Sequence, residues 1–147
     1  MPLPQPDDLT SLVLRTDFGD EGAWDAVKAA LDAAGEYRHA TYVSQLRFAG
    51  VGVQTLLAEE DAADEDDQIV YMFLADAVTM NDPAHPLLAV DLSDEPGRTF
   101  RVTARWFPDI SANLSIANMD FAEFADAADG SGTFRGFDEA GAVLGVD

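Results

Sequence analysis

The sequence predicts an α+β domain: a mixed β-sheet with a three-strand antiparallel meander and about three helices packed on the sheet. Three observations lead there. Residues 12–14, "LVL", and 69–75, "IVYMFLA", are unbroken apolar runs of strand length, as expected of strands covered on both faces. Residues 99–107, "TFRVTARWF", alternate instead, with Phe100, Val102, Ala104 and Trp106 on one face and Arg101, Thr103 and Arg105 on the other. Between the strands lie stretches whose apolar residues recur at helical spacing.

The elements follow in order. Leu12–Phe18 is the first strand, and Gly19 allows a sharp turn after it. Asp20 is placed as a helix N-cap with Glu21 in the first turn, where negative charge is favoured. Trp24, Val27, Leu31 and Ala34 make one apolar stripe, and Gly35 stands where the helix should end. Tyr37–Ser44 is expected as a strand, and Val53–Ala63 as a helix with Leu56 and Leu57 on its buried side. The run "EEDAADEDD", 59–67, holds seven acidic residues in nine and is expected as a solvated, mobile loop. Strands at 69–75, 87–92 and 99–107 are separated by the turn segments "NDPAHP" and "SDEPG" and form the meander. Residues 113–124, "NLSIANMDFAEF", mix polar and apolar residues and span the place where a loop enters the last helix. Asp120 and Glu123 have capping-box spacing, with Met119 and Phe124 as its hydrophobic staple. "GSG", 130–132, ends that helix, and 133–137 is a short edge strand. The expected organisation is a leader over 1–10, one domain over 11–137 and a tail over 138–147.

Charge excludes more than it identifies. Twenty-eight acidic residues face eight basic ones, a formal net charge of −20. Such a chain repels nucleic acid and anionic membranes, because binding a phosphate backbone requires Lys and Arg. A basic protein partner remains compatible. The acidity also fits genomic bias, since Lys28 is the single lysine beside seven arginines, and it fits adaptation to salt. There is no cysteine, which removes disulfides, thiol nucleophiles and thiolate metal sites. No apolar run approaches the ~18 residues of a membrane span, and "MPLPQPDDL" lacks the features of a signal peptide. The expected location is the cytoplasm.

Catalytic motifs are sparse. No G-x-S-x-G, Walker A or G-x-G-x-x-G sequence is present, and neither His39 nor His85 has a nucleophile or carboxylate at a diagnostic spacing. The composition points away from an enzyme and calls for no cofactor. Several residues are candidates to bind a ligand. Asp17 follows the first strand, where open α/β sheets bind ligands. Asp76 follows the central strand, and with Asp17 it would supply oxygen ligands for a divalent cation. Asp91 stands near the end of the next strand. Asn113 and Asn118, with Ser115, would line a pocket or satisfy backbone groups. The acidic run supplies the candidate partner-binding residues Glu59, Glu60, Asp61, Asp64, Glu65, Asp66 and Asp67, because acidic surfaces steer basic partners.

Two resemblances bear on these residues. "LRTDFGDEGAW" resembles the N-terminal turn of enzymes that add hydroxide or halide to S-adenosylmethionine, where the Asp after the first strand meets the cofactor. That likeness covers about ten residues, with no further match. "LVLRTDFGDEGAWDAV", "FLADAVTMNDPAHPLLAVDL", "EPGRTFRV" and "NLSIANMDFAEFADAADGSGTFRGF" together resemble a family of small, acidic, uncharacterised actinobacterial proteins, over most of 12–137. That resemblance implies a bacterial, cytosolic, single-domain protein and carries over no catalytic residue. The acidic run 59–67 lies outside its pattern. The expected function is a small acidic binding module that docks on or neutralises a basic protein. The alternatives are a small-molecule or divalent-cation-binding enzyme with its site at the end of the first strand, and a self-associating structural domain.

Overall fold

A computed structural model describes residues 10–34, 40–62, 69–93, 95–115, 121–128 and 132–134, with backbone alone at 60–62 and 115. Six strands form one mixed sheet: β1 (Ser11–Arg15), β2 (Ala40–Val43), β3 (Tyr71–Ala75), β4 (Leu87–Asp91), β5 (Thr99–Val102) and β6 (Thr133–Phe134). Their order is β2-β1-β3-β4-β5-β6. β1 runs parallel to β2 and β3, β4 is antiparallel to β3 and to β5, and β6 is parallel to β5.

Five α-helices are described: α1 (Glu21–Ala34), α2 (Val53–Ala62), α3 (Ala77–Asn81), α4 (Phe107–Ser115) and α5 (Phe121–Asp126). Short 3-10 turns precede α2 and α4, at Leu46–Phe48 and Ala104–Trp106. The pleat of the sheet sorts the core into two clusters. On one face Val13, Phe73, Ala89 and Phe100 meet Trp24, Val27 and Leu31 of α1, Phe107 and Ile110 of α4, and Phe121 and Phe124 of α5. On the other, Leu12, Leu14, Met72, Leu74 and Val90 meet Leu56 of α2 and Phe48 of the 3-10 turn. Both faces of β1 and β3 are therefore covered, which is why "LVL" and "YMFLA" read as continuous apolar runs.

The predicted class and the start of α1 hold, and four expectations are corrected. First, the alternating run 99–107 is a strand only through Val102. From Ala104 the chain turns into a 3-10 turn and then α4, a helix the sequence did not predict, which carries Asn113 on its last turn. Pro108 sits in the first turn of α4, where it is tolerated, and Phe107, Ile110, Ser111 and Leu114 recur at helical spacing and are buried. Second, the β3–β4 connection is not a tight turn but contains helix α3. Third, α2 holds nearly to its predicted end, through Ala62, so Glu59, Glu60 and Asp61, the start of the expected acidic loop, are helical. Fourth, the helices number five among the described residues. Gly35, His39, Met119 and Asp120, with their expected roles, lie outside the described residues.

A thread of hydroxyls anchors α4 to the sheet. Ser11 Oγ lies 2.8 Å from Tyr71 Oη and 2.7 Å from Ser111 Oγ. Burial pushes the Tyr71 phenol up from its ordinary pKa, against the opposing hydrogen bond to Ser11.

Candidate functional site

The chain leaves β1 toward the face of α1 and leaves β2 toward the face of α2. This reversal opens a crevice at the carboxyl ends of the parallel strands, the place where open α/β sheets bind ligands. A cavity of ≈ 560 Å³ lies there, lined by residues 16–19 after β1, 49–51 before α2, and Asp76 and Ala77 after β3. The fold thus brings Asp17 and Asp76 to one crevice.

Asp17 is half engaged. Its Oδ1 accepts from the Gly19 amide at 2.8 Å and closes a local turn, while Oδ2 has no partner among the described residues. A Cβ on Gly19 would stand 3.2 Å from Oδ1, so the turn favours glycine. Across the crevice, the Gly50 amide donates to the Thr16 carbonyl at 2.8 Å. Gly50 holds φ at 72°, a conformation that suits glycine.

Asp76 is fully engaged. Its Oδ1 accepts from the Thr79 amide and hydroxyl at 3.2 and 3.1 Å, completing a capping box at the start of α3. Arg101 of β5 grips the same carboxylate with both arms, Nη1 to Oδ1 and Nη2 to Oδ2, each at 2.8 Å. Burial works to raise the Asp76 carboxyl. The Arg101 hydrogen bonds and charge, with those from Thr79, outweigh it and hold the pKa below its ordinary value. The expected pairing of Asp17 and Asp76 around a cation therefore meets a carboxylate already occupied by a cation of the fold itself.

The remaining candidates separate. Asp91 is buried and accepts from the Ser93 and Glu95 amides at 2.9 and 3.0 Å, capping the loop after β4. It pairs in register with Tyr71, at the amino end of β3 and so away from Asp76. Asn113 Nδ2 donates to the Asp109 carbonyl of its own helix at 2.8 Å, and the residue does not line the crevice. Asn118, Asp64, Glu65, Asp66 and Asp67 lie outside the described residues, and at Glu60 and Asp61 only the backbone is described. Glu59 Oε1 pairs with Arg47 Nη1 at 3.6 Å. Among the described residues no group of three His, Asp or Glu side chains is placed to hold a metal ion.

Arg15 is the residue that sequence reasoning passed over. Its side chain is only 1% exposed, directly behind the Asp17 turn. Nε donates to the Asp17 carbonyl and Nη1 to Glu21 Oε1, both at 2.9 Å; Nη2 has no partner among the described residues. The Phe18 ring lies 4.3 Å from the guanidinium carbon. An arginine closing an apolar strand beside an acidic turn was the available signal. Arg15 ties β1, the turn and the first turn of α1 together. Among the described residues, the crevice therefore offers one free carboxylate oxygen on a stiff turn, and no nucleophile–base pair.

No helix of the described residues is long and apolar enough to cross a membrane. No curated protein matches this sequence. Residues 10–137, nearly the whole chain, match one family, and the protein belongs to it: the family described as a domain of unknown function, DUF6924.

Proposed function

We propose that this protein is a small acidic binding module that docks on a basic protein partner in the bacterial, by resemblance actinobacterial, cytoplasm. The observation that carries the reading is how the charges are spent. Arg15, Lys28, Arg47, Arg98 and Arg101 each form an ion pair with a carboxylate of the fold. Pairing within the fold leaves most of the acidic surplus uncompensated, so a negative surface is left to attract cationic groups. Exposed Asp32 of α1 and Asp109 of α4 contribute to it, and the acidic run 59–67 belongs to the same surplus in the sequence. The enzyme alternative draws support from the crevice alone, whose carboxylates already serve the turn and the α3 cap.

The test is co-purification of the tagged protein from a lysate of its source cell at low salt and at about 1 M salt, where the screening length falls to about 3 Å. A parallel sample carries Asp64→Asn, Glu65→Gln, Asp66→Asn and Asp67→Asn. The expected result is a basic protein held at low salt, released at high salt and weakened by the substitutions. Retention indifferent to salt, or no partner in either condition, refutes electrostatic docking.

A further inference from the structure

A second concavity lies away from the crevice, between the last turns of α1, the 83–85 turn and the start of the 3-10 turn at Ala104. It encloses ≈ 490 Å³, with walls made largely of methyl groups from Ala30, Ala33, Ala34, Ala84 and Ala104. Three polar residues interrupt this apolar lining.

Arg105 is the first. Among the described residues it forms no ion pair, and its one described contact is its guanidinium carbon 5.1 Å from the ring of its neighbour Trp106. Among the described cations of this chain of net charge −20, Arg105 is the exception, since Arg15, Lys28, Arg47, Arg98 and Arg101 all pair with carboxylates. Thr103 is the second; it is 4% exposed, and its buried hydroxyl has no hydrogen-bond partner among the described residues. Unsatisfied buried hydroxyls are uncommon and call for a reason. His85 is the third. It is the one non-glycine residue described with positive φ, at 48°. Its Nδ1 lies 3.1 Å from the Thr79 carbonyl, which can only accept, so Nδ1 carries a proton. That bond fixes the ring and leaves Nε2 as its other polar atom. Strained backbone of this kind concentrates at binding sites.

We propose that this concavity binds a small aliphatic carboxylate. Arg105 takes the carboxylate, as guanidinium groups do in a two-armed geometry. The alanine walls take the short hydrocarbon body. His85 Nε2 stands by for a polar substituent, while the Thr103 hydroxyl lies buried in the wall behind it. The walls argue against inorganic phosphate, which is hydrated on every side and gains nothing from methyl groups. The site is distinct from the acidic docking surface and does not rest on it.

The probe is butyrate, titrated into the labelled protein and followed by amide chemical shifts at near-physiological salt, where screening over about 8 Å limits repulsion by the net charge. The expected result is saturable shifts at Ala30, Ala34, Ala84 and Ala104. Arg105→Gln, at an exposed position, should leave the melting temperature unchanged and weaken binding about tenfold or more, the loss of a charge-assisted contact. Ala33→Phe, also at an exposed position, should fill the cleft and abolish the shifts. Butanol, of similar body without the charge, should bind far more weakly. The proposal is overturned if butyrate gives no saturable shifts at these amides, if Arg105→Gln leaves its affinity intact, or if phosphate binds there as tightly.

Discussion

Replacing Asp76 with alanine removes two things at once: the cap of α3 and the carboxylate that Arg101 grips. The cap is worth about 1 kcal/mol. The two-armed contact, with side chains 26% and 22% exposed, contributes about 2 kcal/mol as a charge-assisted hydrogen-bond pair. The expected loss is about 3 kcal/mol, or roughly 10 °C in melting temperature for a chain of this size. Asp76→Asn keeps an oxygen for the Thr79 amide and loses only the charge and the second acceptor, so it should cost about 2 kcal/mol. The pH dependence follows from the lowered Asp76 pKa. A depressed carboxyl stabilises the fold above its unfolded pKa of about 3.9, and that stability is lost as pH falls through the lower folded value. The gap between wild type and Asp76→Asn should therefore be constant from pH 7 to about 5 and close below about 4. Urea denaturation followed by circular dichroism at several pH values reads both quantities. A loss under about 0.5 kcal/mol for Asp76→Ala, or a gap that persists at strongly acid pH, refutes the reasoning.

Three further outcomes are expected. Phe107→Ala, at a ring 1% exposed and packed edge-on against Phe73 at 5.1 Å, should cost about 3–5 kcal/mol in urea denaturation; a loss below about 1 kcal/mol would detach α4 from the core. At Gly50 a Cβ meets nothing within 4 Å, so Gly50→Ala should cost only the backbone penalty of φ 72°, about 1 kcal/mol, and a neutral result would show that the loop relaxes. Arg15→Met should be near neutral because it replaces a buried, incompletely paired charge with an apolar side chain, whereas Glu21→Gln leaves that charge without its carboxylate and should cost more; the reverse order in thermal melts would show that the Arg15 hydrogen bonds dominate.

Local signals located what local physics controls. Asp20 caps α1, its Oδ1 accepting from the Ala23 amide at 3.1 Å, and the Trp24–Val27–Leu31 stripe is the face that packs. The stretch 99–115 misled because two periodicities overlap there. The strand alternation of Phe100 and Val102 continues by chance through Ala104 and Trp106, while the helical spacing of Phe107, Ile110 and Leu114 begins just beyond. Asp76 was legible as a residue at a strand end. Its occupation by Arg101 was not, because those two side chains stand 25 positions apart and meet only through the β3-β4-β5 pairing.

The sequence by itself determined the class of fold, the burial of β1 and β3 on both faces, the start of α1 and the sign of the net charge. These depend on composition and on spacings within one turn or one pleat. Only the tertiary structure decided what each carboxylate does. It divided Asp17 between its own turn and the crevice, gave Asp76 to Arg101, and set Arg105 beside an alanine-lined cleft with no carboxylate of the described fold opposite it. The reason is range. A hydrogen bond reaches about 3 Å, so whether an acidic side chain is a cap, a counter-ion or a free ligand depends on which distant residue the sheet carries to within that distance.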